Sequence, residues 1–281
     1  MPSISRMSRF IRGSRHQIAR VFRRNQPLVS ARSVNGLRFA CLPSDAVGRW
    51  IYRCGLYEAH ILTCLKKYLR FDVDDLAIDI GANIGWYSCI FGSILRDRGQ
   101  VIAIEPEPRN LQLLQKNIQL NNLANIEAIQ CAASDQPGTL SLHLYKSSNR
   151  GRHSVLPIYA GPTIKIPAAR LDDLLEQRGL GSRTVAILKI DIEGYEAIAL
   201  RGATRALSRC RLALVEWSPN YMLNGGIEPA ELADLLLISG FSLAIIHGDG
   251  TLFPIDREQL LAKHRQVDLL CRRESRTPSS T

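Results

Sequence analysis

Leu76-Ala77-Ile78-Asp79-Ile80-Gly81-Ala82-Asn83-Ile84-Gly85 is the stretch on which the fold turns. LAIDI (76–80) is a short apolar run that stops at a glycine, the mark of a buried strand. Residues 84–95 then follow a helical pattern. The chain therefore passes from strand to helix through the turn G-x-N-x-G. Gly81 permits a tight turn, and Gly85 lets the helix approach the strand closely. Asn83 tolerates left-handed backbone angles better than most residues. In open α/β sheets such strand-to-helix turns are where ligands bind. The spacing departs from the dinucleotide fingerprint G-x-G-x-x-G, which argues against a nicotinamide dehydrogenase.

The same alternation continues outward. VIAIE (101–105), IEAIQCAA (126–133), VAILKIDI (185–192) and CRLALVEW (210–217) read as strands, with helical patterns over 108–121, 171–178, 195–207 and 229–239. TLSLHLY (139–145) alternates with period two and is expected to be half-exposed. IKIPAA (164–169) is a further short strand. SLAIIH (242–247) and HRQVDLLC (264–271) follow one another without a helix between them, so they are expected as an antiparallel pair at one edge. The pattern predicts a doubly wound α/β fold, a mostly parallel seven-stranded sheet with an antiparallel edge strand and helices on both faces.

Composition narrows the function. The 281 residues carry a formal net charge of +10. Residues 1–44 hold nine arginines and no acid, and residues 257–276 are net +3, so 45–256 is net −2. A nucleic-acid footprint would put the basic excess on a folded face, and none is expected here. The domain organisation expected is a basic leader over 1–44, a catalytic domain over 45–273 and a polar tail over 274–281. Residues 4–24 have helical apolar spacing with an arginine face. They read as an amphipathic segment making weak contact with a membrane surface, as a transit peptide, or as a disordered leader without a role. Seven cysteines, an odd number with no CxxC pair, suit buried free thiols in a reducing compartment, and a cytoplasmic protein is expected.

Further marks lie at successive strand ends. Glu105 closes VIAIE about twenty residues beyond the turn, where an acid bonds ribose hydroxyls. Ser134 and Asp135 follow the third strand on the same sheet edge. Together AIDIGANIGWYS, IEPEP, AASD with Gly138, LKIDIEGYE and ALVEW resemble the FkbM-type methyltransferases, over about residues 55–250. The resemblance implies a Rossmann-like class I methyltransferase fold. It also implies S-adenosylmethionine as cofactor and methyl transfer to an oxygen of a sugar or small natural product. Carried over, Asp79, Gly81, Ala82, Asn83 and Gly85 line the methionine end, Glu105 the ribose, and Ser134 with Asp135 the adenine side. The helix start after Gly81 is expected to offer amides to the donor's carboxylate, and Asp79 to pair with its amino group.

Asp191-Ile192-Glu193-Gly194 ends VAILKIDI, at the edge beside the cofactor turn. If the strand runs that far, Asp191 and Glu193 share a face; alternatively Gly194 turns the chain there. Either acid is the first choice as general base for a hydroxyl acceptor. His153, in the loop SSNRGRHSV, is a second candidate. The alternative is a metal-assisted reaction in which these acids and Glu216 hold magnesium or manganese. It ranks below the general base for want of a further clustered ligand set, so no metal residue is assigned. A nucleic-acid or protein methyltransferase using the basic leader, and a non-catalytic nucleotide-sugar-binding domain, are the other readings. The near-neutral centre opposes the first, and the intact acidic motifs oppose the second. A small-molecule or glycan acceptor, with no nucleic acid, is the expected partner.

Overall fold

A computed structural model of the protein describes residues 28–273; the amphipathic pattern at 4–24 and the tail 274–281 lie outside the described residues. The hairpin of β1 (Val29–Arg32) and β2 (Arg38–Cys41) leads into helices α1 (Ala46–Cys54) and α2 (Ala59–Tyr68). The alternating region follows, with β3 (Asp75–Ile80), α3 (Trp86–Leu95), β4 (Gly99–Ile104), α4 (Pro108–Leu120) and β5 (Ile126–Ile129). Three short strands come next: β6 (Ala132–Ala133), β7 (Gly138–His143) and β8 (Thr163–Ala169). The second half contains β9 (Val185–Ile190), β10 (Cys210–Trp217), β11 (Phe241–Ile246), β12 (Leu252–Ile255) and β13 (Val267–Arg273), joined mostly by short helices.

The main sheet has the order β12-β11-β13-β10-β9-β3-β4-β5. Strands β5, β4, β3, β9 and β10 run parallel. Every residue of β3 and β9 is buried, because helices cover both faces, and this is why both strands read as unbroken apolar runs. Two hydrophobic clusters form the core, one on each side of the sheet, with Ile78, Ile104 and Leu188 in one and Ala77, Ala103 and Ile187 in the other. This is the expected doubly wound fold.

Three details differ from the sequence reading. The sheet has eight strands rather than seven. The antiparallel strand β13 does not sit at the edge but between β10 and β11, and the edge is β12, antiparallel to β11. Inserting β13 beside β10 lets its apolar Leu269-Leu270-Cys271 be buried on both faces, which an edge position would not. The run IEAIQCAA also splits. Its first half stays in the main sheet as β5, while Ala132 and Ala133 leave it to pair with β8 in a three-stranded sheet, β6-β8-β7.

The boundary at residue 45 also needs correction. Residues 29–41 are part of the folded domain, with Ala31, Phe39 and Cys41 buried in one core cluster. Two asparagines one helical turn apart secure β2. Asn117 Oδ1 accepts from the Ala40 amide at 2.6 Å, and its Nδ2 donates to Ile84 O at 2.8 Å and Ala40 O at 3.3 Å. Asn121 bonds the Arg38 backbone in the same way, at 2.8 and 2.7 Å. Side-chain amides thus replace a neighbouring strand along the open edge of β2. Among the described residues no helix is long and apolar enough to cross a membrane.

Asn117 is fully buried and joins the hairpin to the turn that follows β3. Asn117→Ala leaves backbone groups of Ala40 and Ile84 unpaired in the interior. It should lower the unfolding free energy by about 1–3 kcal/mol, measured by urea denaturation of the full chain.

Candidate active site

The turn after β3 is shaped by its neighbours. Gly81, Asn83 and Gly85 all have positive φ, at 76°, 51° and 86°. At Gly81 a Cβ would lie 2.1 Å from Asp191 O, so only glycine lets this turn pack against the chain leaving β9. Glu105 holds the turn from the β4 side. Its Oε2 accepts from the Asn83 amide at 2.7 Å and its Oε1 from the Glu107 amide at 2.9 Å. Burial raises its pKa to about 7, against those amide hydrogen bonds.

A cavity of about 260 Å³ opens beside this turn. Gly81, Ala82, Asn83 and Trp86 line one side, and Asp191, Glu193 and Glu216 the other. Glu58 lines it from the start of α2, and Gln266 from the approach to β13. Gly81 also borders a second, much smaller and apolar slot of about 30 Å³, lined by Ile104, Pro106, Ala132, Ala133 and Tyr195. A polar cavity and an apolar slot thus meet at the turn.

Lys189 organises the polar cavity. It is 5% exposed, and its Nζ lies 3.7 Å from Asp79 Oδ1, 3.4 Å from Asp191 Oδ2 and 3.4 Å from Gly81 O. Burial opposes its charge, but Asp191, Asp79 and Glu58 more than offset this and hold its pKa above the ordinary value. Asp79 is fully buried and also accepts from Ser88 Oγ at 2.5 Å. It is not among the residues that line the cavity and is linked to it through Lys189.

The strand β9 ends at Ile190, so Asp191 and Glu193 do not converge through the strand's pleat. A turn brings them together. Glu193 adopts φ 57° and Gly194 φ 99°, and the buried Glu196 pins the turn by accepting from the amides of Ile192 (2.9 Å) and Gly194 (3.2 Å). As a result one carboxylate oxygen each of Asp191, Glu193 and Glu216 lies within 4.8 Å of the others. Burial first, then Asp191, raises the Glu193 carboxyl to about 8, and Arg152 at 3.7 Å works the other way. Glu216 is pushed well above its ordinary value by burial and the neighbouring acids. Its two oxygens accept from Ser218 Oγ at 2.9 Å and from Gln266 Nε2.

The other expected residues are distributed as follows. Ser134 is buried with its Oγ 3.1 Å from the Tyr195 hydroxyl, beside the apolar slot, and Asp135 accepts from Ser134 Oγ at 3.4 Å. His153 lines the slot rather than the acidic cavity. Its Nδ1 accepts from the Tyr145 amide at 2.8 Å and burial lowers its pKa, so it does not join Asp191 and Glu193. The amides of Gly81, Ala82 and Gly85 bond within the fold, and that of Asn83 bonds Glu105. They are therefore not free to take a carboxylate. Asn83 Oδ1, the buried Trp86 Nε1 and Glu193 Oε2 are the wall atoms without a hydrogen-bond partner among the described residues.

Sequence reading missed several contributors. Lys189 carried a signal, a lone lysine inside the apolar run VAILKIDI. Glu58 carried none. It sits in a left-handed conformation before α2, and its Oε2 accepts from the Tyr87 hydroxyl at 2.5 Å. Arg152, stacked between the rings of Tyr145 and Tyr221 at 5.3 and 5.2 Å, closes the cavity from the loop after β7.

Comparison with known proteins follows the same residues. The family profile described as "Methyltransferase FkbM domain" matches residues 79–243. The hexuronic acid methyltransferase AglP of Haloferax volcanii is 28% identical over 210 residues, covering 75% of this chain and 80% of that protein. The 2-O-methyltransferase NoeI of Sinorhizobium fredii is 25% identical over 179 residues, covering 58% of this chain and 71% of that one. Among solved structures, methyltransferase FkbM from Methylobacillus flagellatus aligns with a TM-score of 0.48 and 19% identity. That alignment covers 80% of this chain, which spans about half (52%) of that longer one.

Lys189→Met keeps the side chain's length but leaves Asp79 and Asp191 without their shared cation. Removing one partner of a buried pair costs about 3–5 kcal/mol. Urea unfolding of the variant should show a loss of that size, and an unchanged midpoint would refute the bridging role.

Proposed function

Because the chain belongs to the methyltransferase FkbM family and is an S-adenosylmethionine-dependent methyltransferase, we propose that it methylates a hydroxyl oxygen of a sugar or small natural product. The observation that carries the reading is the acidic cavity beside the glycine turn, with Glu58, Asp191, Glu193 and Glu216 on its walls. Such walls repel a phosphate-rich polymer and suit a neutral, hydroxylated acceptor. Of the two relatives named above, the hexuronic acid methyltransferase supports an acceptor of the sugar class and the 2-O-methyltransferase supports transfer to oxygen.

The residues present fit the donor. Bound here, S-adenosylmethionine supplies a methyl group on a positively charged sulfur. The acidic cavity favours that charge, and the adjoining slot, about the volume of one water, would have to widen to take the base. Gly81, Ala82, Asn83 and Gly85 would shape the methionine end. The unpartnered Trp86 Nε1 is a donor suited to its carboxylate, and Asn83 Oδ1 an acceptor suited to its ammonium. Asp79 acts on this end through Lys189. Glu105 would take the ribose hydroxyls while holding the turn, with Ser134 and Asp135 beyond the slot at the adenine side.

On the acceptor side, Asp191 or Glu193 receives the hydroxyl proton as general base. Tyr57 and Gln266, also on the wall, can orient the acceptor's other hydroxyls. Arg152, stacked between Tyr145 and Tyr221, forms part of the same wall. His153, on the slot side, remains a second candidate base only if its loop moves. A cytoplasmic site is part of the same proposal, supported by seven free cysteines, six of them buried.

Calorimetry should show S-adenosylmethionine and its demethylated product binding the full chain, and no binding would overturn the proposal. With labelled donor and a panel of neutral sugars and polyols, Glu193→Gln should reduce turnover by about 10²–10⁴-fold, the usual contribution of a positioned base. Its donor affinity should stay within about threefold of the parent, since Glu193 faces the acceptor. A variant that keeps full turnover would remove Glu193 from the reaction.

A further inference from the structure

We propose that Asp191, Glu193 and Glu216 bind one divalent cation of the magnesium or manganese class. The site deepens the reading above and rests on the same cavity, where such an ion would hold two neighbouring hydroxyls of the acceptor and, as a Lewis acid, ease loss of the proton that a ligating carboxylate, Asp191 or Glu193, takes up.

The geometry is that of an ion's ligand shell. The three carboxylates come from two adjacent strand ends, Asp191 and Glu193 after β9 and Glu216 near the end of β10, and they point into one cavity. Their nearest oxygens lie within 4.8 Å of one another. Two oxygens each about 2.0–2.1 Å from a shared magnesium ion lie at most about 4.2 Å apart, so the three carboxylates need to draw together by no more than several tenths of an ångström as the ion binds. The set is made only of carboxylates, with no thiol or imidazole, and oxygen donors favour hard cations.

A second observation points to a missing partner. Glu193 is only 5% exposed, yet its Oε2 has no hydrogen-bond partner among the described residues. An unpaired buried carboxylate oxygen is costly unless something charged meets it. The protein's own cations do not suffice. Four carboxylates line the cavity against Lys189 and Arg152, and Lys189 is shared with the buried Asp79. Lys189 contacts Asp191 through Oδ2, and Asp191 also lines the cavity. Arg152 approaches Glu193 only through Oε1, at 3.7 Å.

The surroundings are arranged as those of a metal ligand are. Ser218 and Gln266 each donate to one oxygen of Glu216, and Glu196 fixes the turn that carries Glu193. Such supporting hydrogen bonds set the direction of ligating carboxylates. Three protein oxygens leave about three positions of an octahedral shell open. Two of them match a vicinal diol, a pattern common in sugars, and this gives the cavity a way to select hydroxylated acceptors.

The test is a titration of the full chain with Mn²⁺ alone, following free Mn²⁺ by electron paramagnetic resonance. One Mn²⁺ should bind per chain and be displaced by Mg²⁺. Glu216→Gln and Asp191→Asn, each confirmed as folded by circular dichroism, should weaken Mn²⁺ binding at least about tenfold. Should Glu216→Gln fail to fold, the half-buried Asp191→Asn gives the same readout. No binding at millimolar Mn²⁺ by protein that binds S-adenosylhomocysteine would overturn the site, as would unchanged affinity in a folded variant. S-adenosylhomocysteine binding is measured separately by calorimetry. Its loss alongside intact Mn²⁺ binding would count against the donor reading and leave the cation site standing.

Discussion

An ammonium group almost out of reach of water holds the centre of this protein together. Lys189 belongs to β9, and its charge is balanced by Asp79 on the neighbouring β3 and by Asp191 just past the end of its own strand. A lone lysine at this depth would lose its proton or its place. Here the two carboxylates keep it charged, and it in turn lets two acids remain in the interior. The same Nζ reaches Gly81 O, so the glycine turn is tied to the strand that leads into Asp191 and Glu193. The two walls of the cavity therefore share one electrostatic anchor.

Close packing makes that anchor possible. At Gly81 the backbone nearly touches Asp191 O, and at Gly194 a Cβ would come within 2.8 Å of Tyr221 Cβ. Both glycines have positive φ, and Glu193 beside the second shares that conformation without being glycine. Strain of this kind persists where the surroundings over-determine it. The amides of Ile192 and Gly194, both bonded to Glu196, supply that constraint. The result is an acidic rim that burial alone would disperse.

The alternation of strands and helices was legible because parallel strands covered on both faces must be apolar throughout, as LAIDI and VAILKIDI are. The glycine turn, Glu105, Asp191, Glu193 and Glu216 were legible because they stand at strand ends, and all parallel strand ends share one edge. Other features left little trace. The hairpin at 29–41 is rich in arginine and short, so it merged with the basic stretch before it, although Phe39 and Cys41 are core residues. The place of β13 between β10 and β11 depends on pairing partners far apart in the chain. His153 is a different case, since its loop position left its surroundings open and the fold sets it at the slot, on the far side of the turn from Asp191 and Glu193.

By itself the sequence determined the doubly wound architecture, the position of the turn and the acids at the strand ends, because those follow from local periodicity and from where glycine is required. Only the tertiary structure decided which of these groups meet. Asp79 faces Lys189 instead of the cavity, and Glu105 bonds the turn's own backbone. Asp191, Glu193 and Glu216 close to within 4.8 Å although the strand ends too early for its pleat to align the first two. Such meetings depend on turn geometry and on sheet order. Both are set by packing across long sequence separations, and neither is written in any single run of residues.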